Sequence, residues 1–366
     1  MKCSILFLLL MVFQGVASLA QITEIVILDN QEIKNLRELT YNNAAAQRFG
    51  DSIVLVAERS LNDSPKPIRK IFYEGLLDSN PARIETVGCL EDMNKVADLI
   101  YASYIRDSRL FSEKAKAFVL AWANTYIPTG NPINENKLSA LFWAYHRFKP
   151  DFSTAEKQLT EDWMVKIAQA QMDRQSTPNN NWEAKRLKII GITGCITENT
   201  EMKEYAADGF RNYISSAYYE DGTSNDLRDR DALHYHIGGL TPTVATFITL
   251  AKFDPLFDLY HYIAPSGSSI KKSVEYTWPY ASGRKQRGEW TNSKVKLDKE
   301  RAASGLEKYQ PGRLFDPREA IPLFEWAGYY HPEWYSLFGK NSTGKNYLAT
   351  WTGLLNCPLV RISRND

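Results

Sequence analysis

The stretch SEKAKAFVLAWANTY, residues 112–126, places apolar side chains at intervals of three and four residues. In a helix of 3.6 residues per turn these side chains form one apolar stripe. The stretch therefore predicts an amphipathic helix that Ser112 caps and that ends before Pro128. The same spacing recurs downstream, where Ser153 and Glu156 form the capping box of another helix.

Similar patterns extend along most of the chain. They predict further helices at about 138–145, 153–170, 182–196, 201–216 and 240–253. The alternation of apolar and polar residues that is typical of strands is scarce, and the run 22–28 is the one example. Because the predicted helices follow one another with short polar connections, the pattern favours stacked hairpins of antiparallel helices. We expect a mainly all-α protein, as a bundle, solenoid or toroid, with residues 21–366 forming one domain.

Composition excludes several classes of protein. The 366 residues carry 44 Lys and Arg against 43 Asp and Glu, and a net charge of +1 argues against a dedicated nucleic-acid binder. The 44 % apolar and 24 % charged fractions exclude a disordered chain and a multi-span membrane protein. The 20 Tyr and 9 Trp either fill helical cores or stack on sugar rings.

The N-terminus reads as an export signal. Lys2 precedes an apolar run at 5–13, and small residues follow at 18–20. We expect residues 1–20 to be removed, which gives a periplasmic or secreted chain with no membrane insertion after cleavage. The sequence contains no Cys-x-x-Cys pair, so a structural zinc site is not expected.

The first candidate site is the run NNNW at 179–182, directly before a predicted helix. Asn180 and Asn181 could cap that helix. Their amide groups could equally donate to a carboxylate bound near the positive end of the helix. Both interpretations remain open at this point.

The second candidate site is the run DGTSNDLRDRDALHYH at 221–236, in a predicted turn leading into a helix. It contains two arginines, two histidines and a tyrosine: Arg228, Arg230, His234, Tyr235 and His236. Such a cluster could supply a general base and neutralising charge. The two histidines could instead bind a metal with nearby aspartates, but helical residues two apart point away from one another. A glycosidase carboxylate pair is a further alternative.

The segment 283–313 departs from the helical pattern. It holds nine basic and four acidic residues. It could rim a cleft as a loop or lid and attract a polyanion, or it could be a solvated face. Arg284 opens this segment and Tyr280 lies just before it.

The asparagine turn before a Trp-containing helix, with the Tyr-His motif about fifty residues later, resembles the alginate lyase superfamily of helical-toroid polysaccharide lyases. The phrase WANTYIPTGNPI at 122–133 and the later Tyr145 are similar to the upstream helix pair of that family. The resemblance spans roughly residues 90–340. It implies an (α/α) toroid that cleaves a 4-linked polyuronate, such as alginate or glucuronan, by β-elimination without a metal or organic cofactor.

The resemblance also implies residue roles. The catalytic set would comprise Asn180, Arg228, Tyr235, His236 and, as a second candidate base, Tyr280. Asn181 stands where those enzymes have histidine, so His236 or His234 would take over that function, which suggests a divergent family within the fold. Substrate contacts are expected from Asn181, His234, Arg230, Trp182, Trp122, Asn131 and Arg284.

The chemistry explains these residue types. The C5 proton of a uronate is weakly acidic while the adjacent carboxylate stays negative, so donors aimed at that carboxylate stabilise the developing enolate-like charge. A phenol with a pKa near 10 becomes a usable base when neighbouring positive charge lowers the pKa. The expected partner is an anionic polysaccharide. A helical-toroid glycoside hydrolase and a non-catalytic glycan-binding protein are the alternatives.

Overall fold

The computed structural model describes residues 24–77, 79–335 and 350–361. Those residues form helices joined by short connections, and they contain no β-strand. The first helices are α1 Asn30–Asn42, α2 Ala44–Arg59, α3 Pro81–Ile105, α4 Arg109–Thr125, α5 Pro132–Glu135, α6 Ser139–Phe148, α7 Thr154–Met172 and α8 Asn181–Ile196. The remaining helices are α9 Thr200–Ala217, α10 Asn225–Arg230, α11 Leu233–Leu250, α12 Ile270–Ala281, α13 Lys296–Ala303, α14 Ile321–Ala327 and α15 Trp351–Asn356.

The helices form two layers. In the inner layer, α3 contacts α6, α6 contacts α8, and α8 contacts α11. The outer helices α4, α7 and α9 cover this layer. Helix α14 packs on α11, and α15 joins α14 to α2. The fold is thus a helical toroid, as the sequence predicts.

The inner helices are apolar around most of their circumference. The second half of α8 and nearly all of α11 are buried, which is the pattern of a helix surrounded by other helices. The capping box of Ser153 and Glu156 is confirmed at the start of α7. Two predicted helix starts are wrong. Helix α4 begins at Arg109, so that Ser112 lies inside it, and α11 begins at Leu233 rather than near Leu240.

The first described residues run through the middle of the toroid. Residues 25–28 are buried and belong to no helix, and their backbone is bound by side chains. The Tyr101 hydroxyl accepts from Val26 N at 3.1 Å, and the Tyr104 hydroxyl donates to Val26 O at 3.2 Å. Lys252 donates to Ile27 O at 3.1 Å. Residues 25–28 of the alternating pattern therefore form a central segment without a strand partner, because tyrosine and lysine side chains satisfy backbone groups that such a partner would otherwise bind.

The basic segment 283–313 folds back onto the start of α11. The Asp231 carboxylate accepts from Arg287 Nη2 at 2.5 Å and from Asn292 N at 3.0 Å, and Asp231 O accepts from Trp290 N at 2.9 Å. Asp231 and Trp290 both adopt positive φ, 51° and 67°. Non-glycine residues rarely adopt this conformation unless the surrounding contacts enforce it. Asp231 therefore fixes the segment in place.

No helix in the described ranges is long and apolar enough to span a membrane. The three cysteines in those ranges, Cys89, Cys195 and Cys357, form no disulfide. The predicted export signal, residues 1–20, lies outside the described residues.

Candidate active site

Tyr235 lies in the first turn of α11, beside two arginines. The guanidinium carbon of Arg230 lies 3.2 Å from the centre of the Tyr235 ring. Arg301 Nη1 donates to the Tyr235 hydroxyl at 2.9 Å. A negative charge on this hydroxyl would therefore face two cations at close range.

Both arginines are oriented by the basic segment. Helix α13 carries Asp298 and Arg301 one turn apart. The buried Asp298 carboxylate accepts from Arg230 Nε at 2.9 Å and also binds its Nη2 group. Ser293 donates to the same carboxylate at 2.9 Å. The segment predicted to rim a cleft thus supplies one arginine to Tyr235 and fixes the other.

The environment of Tyr235 acts on its pKa in two directions. Burial has the largest effect and raises the pKa, and Tyr309 adds to this rise, while Arg230 and Arg301 lower it. The net result is a pKa above the ordinary value of a phenol. Trp290 packs edge-on against Tyr235 with 5.6 Å between ring centres. The two arginines thus offset part of the cost of ionising a half-buried tyrosine.

The asparagine turn lies at the start of α8. The Asn180 side-chain oxygen accepts from Trp182 N at 3.0 Å and so caps the helix, as one of the two interpretations predicts. This leaves the Asn180 amide NH2 as a donor group. Asn225 Nδ2 donates to Asn179 O at 3.2 Å, which ties the turn to α10. Trp182 is partly exposed at the start of α8, where the guanidinium carbon of Arg174 lies 5.4 Å from its ring.

Asp226 connects the two sequence motifs. Its carboxylate interacts with the backbone N–H of Asn181 on one side and with the charge of Arg230 on the other. Burial raises the pKa of Asp226 to about 6, against the opposing effects of Arg230, Asn181 and Lys185. The asparagine turn, Arg230 and Tyr235 therefore belong to one connected site.

His234 stands beside Tyr235, with ring centres 5.2 Å apart. Its Nδ1 lies 3.2 Å from the Glu319 carboxylate. Hydrogen bonding to His234, together with Arg313, lowers the pKa of Glu319 to about 2 against the opposing effect of burial. Four residues after His234, Gly238 faces open space, because a Cβ there would meet no atom within 4 Å. The His234 face of α11 is therefore open to solvent at Gly238.

The structure corrects the role predicted for His236. Its side chain is buried, its Nδ1 lies 2.7 Å from the Ser224 hydroxyl and its Nε2 lies 3.3 Å from Ser273 O. Burial lowers its pKa to about 4, so the ring is neutral near pH 7. Because both nitrogens are engaged inside the protein, His236 connects α10, α11 and α12 rather than binding a substrate. His234 and His236 also point apart, so they form no joint metal site.

The two arginines of α10 lie in different surroundings. Arg228 pairs with Asp221 at 2.9 Å and lies 3.3 Å above the Tyr219 ring, on an exposed surface. Arg230, two positions later on α10, faces the opposite side of that helix and contacts Tyr235. Of the two arginines, Arg230 is the one that lies beside Tyr235.

The second candidate base lies in a different cluster. Tyr280 is on α12, with its ring centre 5.8 Å from that of Tyr276. Tyr276 in turn lies 5.9 Å from His236. No arginine of the described residues stacks on Tyr280 or donates to its hydroxyl. Of the two tyrosines, Tyr235 has the cationic surroundings that a base of this kind needs.

Three predicted substrate contacts lie away from the cluster around Tyr235. Trp122 is completely buried and donates to the Asp92 carboxylate at 2.9 Å, so the structure corrects its assignment to substrate binding. Asn131 caps the short helix α5 by accepting from Asn134 N at 3.1 Å. Arg284 is exposed, 5.9 Å from the Trp278 ring, and contacts none of the residues around Tyr235.

A group of cations near Asp226 was not predicted from the sequence. Lys185 lies on α8, one turn after Asn181, and interacts electrostatically with Asp226, Glu24 and Lys188. Burial lowers the pKa of Lys137 to about 8, and the nearby charges of Lys185, Arg83 and Lys188 lower it further. Isolated lysines along the chain give no sequence signal, because only the fold brings them together.

Across the described ranges, no three His, Cys, Asp or Glu side chains are placed to hold a metal ion. A groove of about 620 Å³ opens on the outer side, between the asparagine turn and α9, and is lined by Arg174, Asn179, Glu183, Tyr205, Asn212 and other residues. It includes neither Tyr235 nor the arginines beside it.

Comparisons with known proteins agree with the helical-toroid fold. The sequence profile of the family described as Alginate lyase matches residues 39–287. A crystal structure of an alginate lyase from Bacteroides ovatus is similar, with a TM-score of 0.65 and 14 % identity over 92 % of this chain and 100 % of that one. Alginate lyase A1-III from Sphingomonas species A1 has a TM-score of 0.52 and 15 % identity over 81 % and 93 % of the two chains.

A variant of A1-III was solved in complex with a tetrasaccharide, and it matches with a TM-score of 0.53, 15 % identity and the same coverage. At these identities the structural matches establish the fold. No curated protein matches the chain significantly.

Proposed function

Because the chain belongs to the alginate lyase family and is therefore a polysaccharide lyase, we propose that it cleaves a 4-linked polyuronate, alginate or glucuronan, by β-elimination at Tyr235. Asn180, Arg230 and His234 are the groups proposed to neutralise the uronate carboxylate. Family membership favours this function over the glycoside hydrolase and the non-catalytic glycan binder. The leader-like residues 1–20 support the further proposal that the enzyme acts after export.

One observation carries the proposal: Tyr235 lies between two arginines in a site connected through Asp226 to the asparagine turn. In the proposed reaction the Tyr235 phenolate takes the C5 proton. The electrons of the C5–H bond pass through an enolate-like state, whose charge develops on the carboxylate, and form the C4–C5 double bond. The C4–O bond breaks, and the departing oxygen takes the proton back from Tyr235.

Each residue beside Tyr235 has a defined role in this reaction. Arg301 stabilises the phenolate before the proton transfer, since its Nη1 is already 2.9 Å from the hydroxyl. Arg230, positioned by Asp298, and the Asn180 amide oppose the charge that develops on the carboxylate. A preorganised donor of this kind contributes about 10²–10³-fold to the rate.

The test is product analysis over a panel of substrates. The purified protein is incubated with polymannuronate, polyguluronate, glucuronan, hyaluronan and pectate, and unsaturated ends are followed by their ultraviolet absorbance. The proposal expects unsaturated ends from at least one 4-linked polyuronate, with product masses that include no added water. Saturated reducing ends carrying the mass of one water would instead identify a hydrolase.

A further inference from the structure

Lys185 has an unusual position on α8, beside the asparagine turn. It lies four residues after Asn181 on α8, so the two side chains share one face of the helix. Its side chain is partly accessible to solvent, yet protein surrounds it closely enough that burial lowers its pKa. Among the described residues, no carboxylate lies within ion-pair distance of its Nζ atom and no hydrogen bond holds it.

The nearby carboxylates are already engaged. Glu24 pairs with Lys188 at 2.7 Å, and Lys188 lies one turn further along the same face of α8. Asp226 interacts with the Asn181 backbone and with Arg230. Both acids attract Lys185 from a distance, but neither forms a close pair with it.

The remaining neighbours repel Lys185. Lys137 and Lys188 are both close enough for their charges to act on one another and on Lys185, and Arg83 adds a further charge at Lys137. Crowding like charges in a partly desolvated site destabilises the folded protein. An arrangement of this kind is typical of a functional site at which an anion later supplies the missing charge.

The position of Lys185 indicates which anion this is. Lys185, the Asn181 backbone and Arg230 all interact with the Asp226 carboxylate, and Arg230 contacts Tyr235. A carboxylate bound between Asn181 and Tyr235 would therefore lie within reach of the Lys185 ammonium. We propose that Lys185 binds the carboxylate of the uronate unit that undergoes elimination. The inference rests on the proposed function and adds to it a catalytic cation that no sequence motif marks.

Binding measured apart from turnover tests the proposal. Tyr235→Phe serves as the background, and calorimetry compares tetrasaccharides of mannuronate and glucuronate with the neutral mannotetraose and cellotetraose. Adding Lys185→Met should weaken binding of the acidic sugar by about 10–100-fold, as expected for a hydrogen bond to a charged group. It should leave binding of the neutral sugars unchanged, and Lys185→Arg should retain most of the affinity.

Lys166→Met is the matched control, because Lys166 is an exposed lysine on α7. Lys166→Met should change neither the affinity for the acidic sugars nor that for the neutral sugars. The thermal midpoint of Lys185→Met should equal or exceed that of the parent, since a crowded positive charge is removed. Equal affinity for the acidic sugar with and without Lys185 would overturn the proposal, as would an equal loss for acidic and neutral sugars.

Turnover separates the two proposals. If the wild-type protein forms no unsaturated product but acid-selective binding still depends on Lys185, the proposed function fails, and Lys185 is a carboxylate-binding residue without a role in elimination. If the wild-type protein is an active lyase but its acid-selective binding does not depend on Lys185, the inference fails and the proposed function stands. If both hold, Lys185→Met in the active enzyme should lower kcat by about 10²–10³-fold.

Discussion

Replacing Arg301 with methionine removes one positive charge beside Tyr235 and leaves the other residues of the site unchanged. The variant keeps a long apolar side chain but removes the group that donates to the Tyr235 hydroxyl at 2.9 Å. A hydrogen bond to a charged group is worth about 1.5–3 kcal/mol. Because the Arg301 side chain is 34 % exposed, solvent screening favours the lower end of this range.

A loss of about 1.5 kcal/mol corresponds to roughly one pKa unit. Arg301 lowers the pKa of Tyr235, so its removal raises that pKa and reduces the phenolate fraction at a given pH. We expect kcat/KM at about pH 7 to fall roughly tenfold, and the rising limb of the pH profile to move about one unit to higher pH.

The assay is the initial rate of unsaturated-product formation across a pH series. Arg301→Lys should recover part of the rate. Lys296→Met, on the same helix but with a side chain that is 91 % exposed, should behave as the parent. An unchanged pH profile with unchanged kcat/KM in Arg301→Met would refute the claim that this arginine stabilises the Tyr235 phenolate.

Three further predictions concern neighbouring parts of the structure. Burial raises the pKa of Asp226 to about 6, above an unfolded value near 4, so its ionisation lowers stability as the pH rises through that interval. Asp226→Asn should therefore melt at a higher temperature than the parent at about pH 8 and converge with it near pH 4; a constant difference would contradict this. Trp122→Phe leaves the Asp92 carboxylate without its indole donor and should cost about 1–3 kcal/mol of unfolding free energy in urea titration, with saccharide affinity unaltered. Arg230→Ala should lower kcat by about 10²–10³-fold, whereas Arg228→Ala should stay within about twofold of the parent, and the reverse order would restore the role first predicted for Arg228.

Helical periodicity made the middle of the toroid, from α4 to α11, predictable. The apolar spacing in α4, α7 and α9 reflects burial of one helix face, which the sequence records directly. The start of α11 was not predictable in this way. Ala232 at its N-cap makes no side-chain hydrogen bond, and the charged run before it reads as a turn.

That missed boundary accounts for the difference between the predicted and the observed surroundings of His236. Once Leu233 is known to open a helix, His236 faces inward and Tyr235 outward, and the contacts of each follow. The short helix α10 likewise separates Arg228 from Arg230, because residues two apart on a helix point in different directions. The resemblance to the family, matched by position along the chain, suggested Arg228.

The remaining site residues are brought in by tertiary structure. Arg301 comes from 66 positions beyond Tyr235, held there through the contacts that Asp231 makes with the basic segment. The net charge of that segment was visible in the sequence. Which of its nine cations reaches a tyrosine depends on folding, as does the meeting of Lys185 with Asp226.

The most direct test of the central claim compares two single-hydroxyl deletions. Unsaturated-product formation is measured for the wild-type protein, Tyr235→Phe and Tyr280→Phe on whichever 4-linked polyuronate the wild type degrades. Proton transfer by Tyr235 predicts a loss of at least about 10²-fold in Tyr235→Phe and a near wild-type rate in Tyr280→Phe. A Tyr235→Phe protein that still eliminates at the wild-type rate would contradict it.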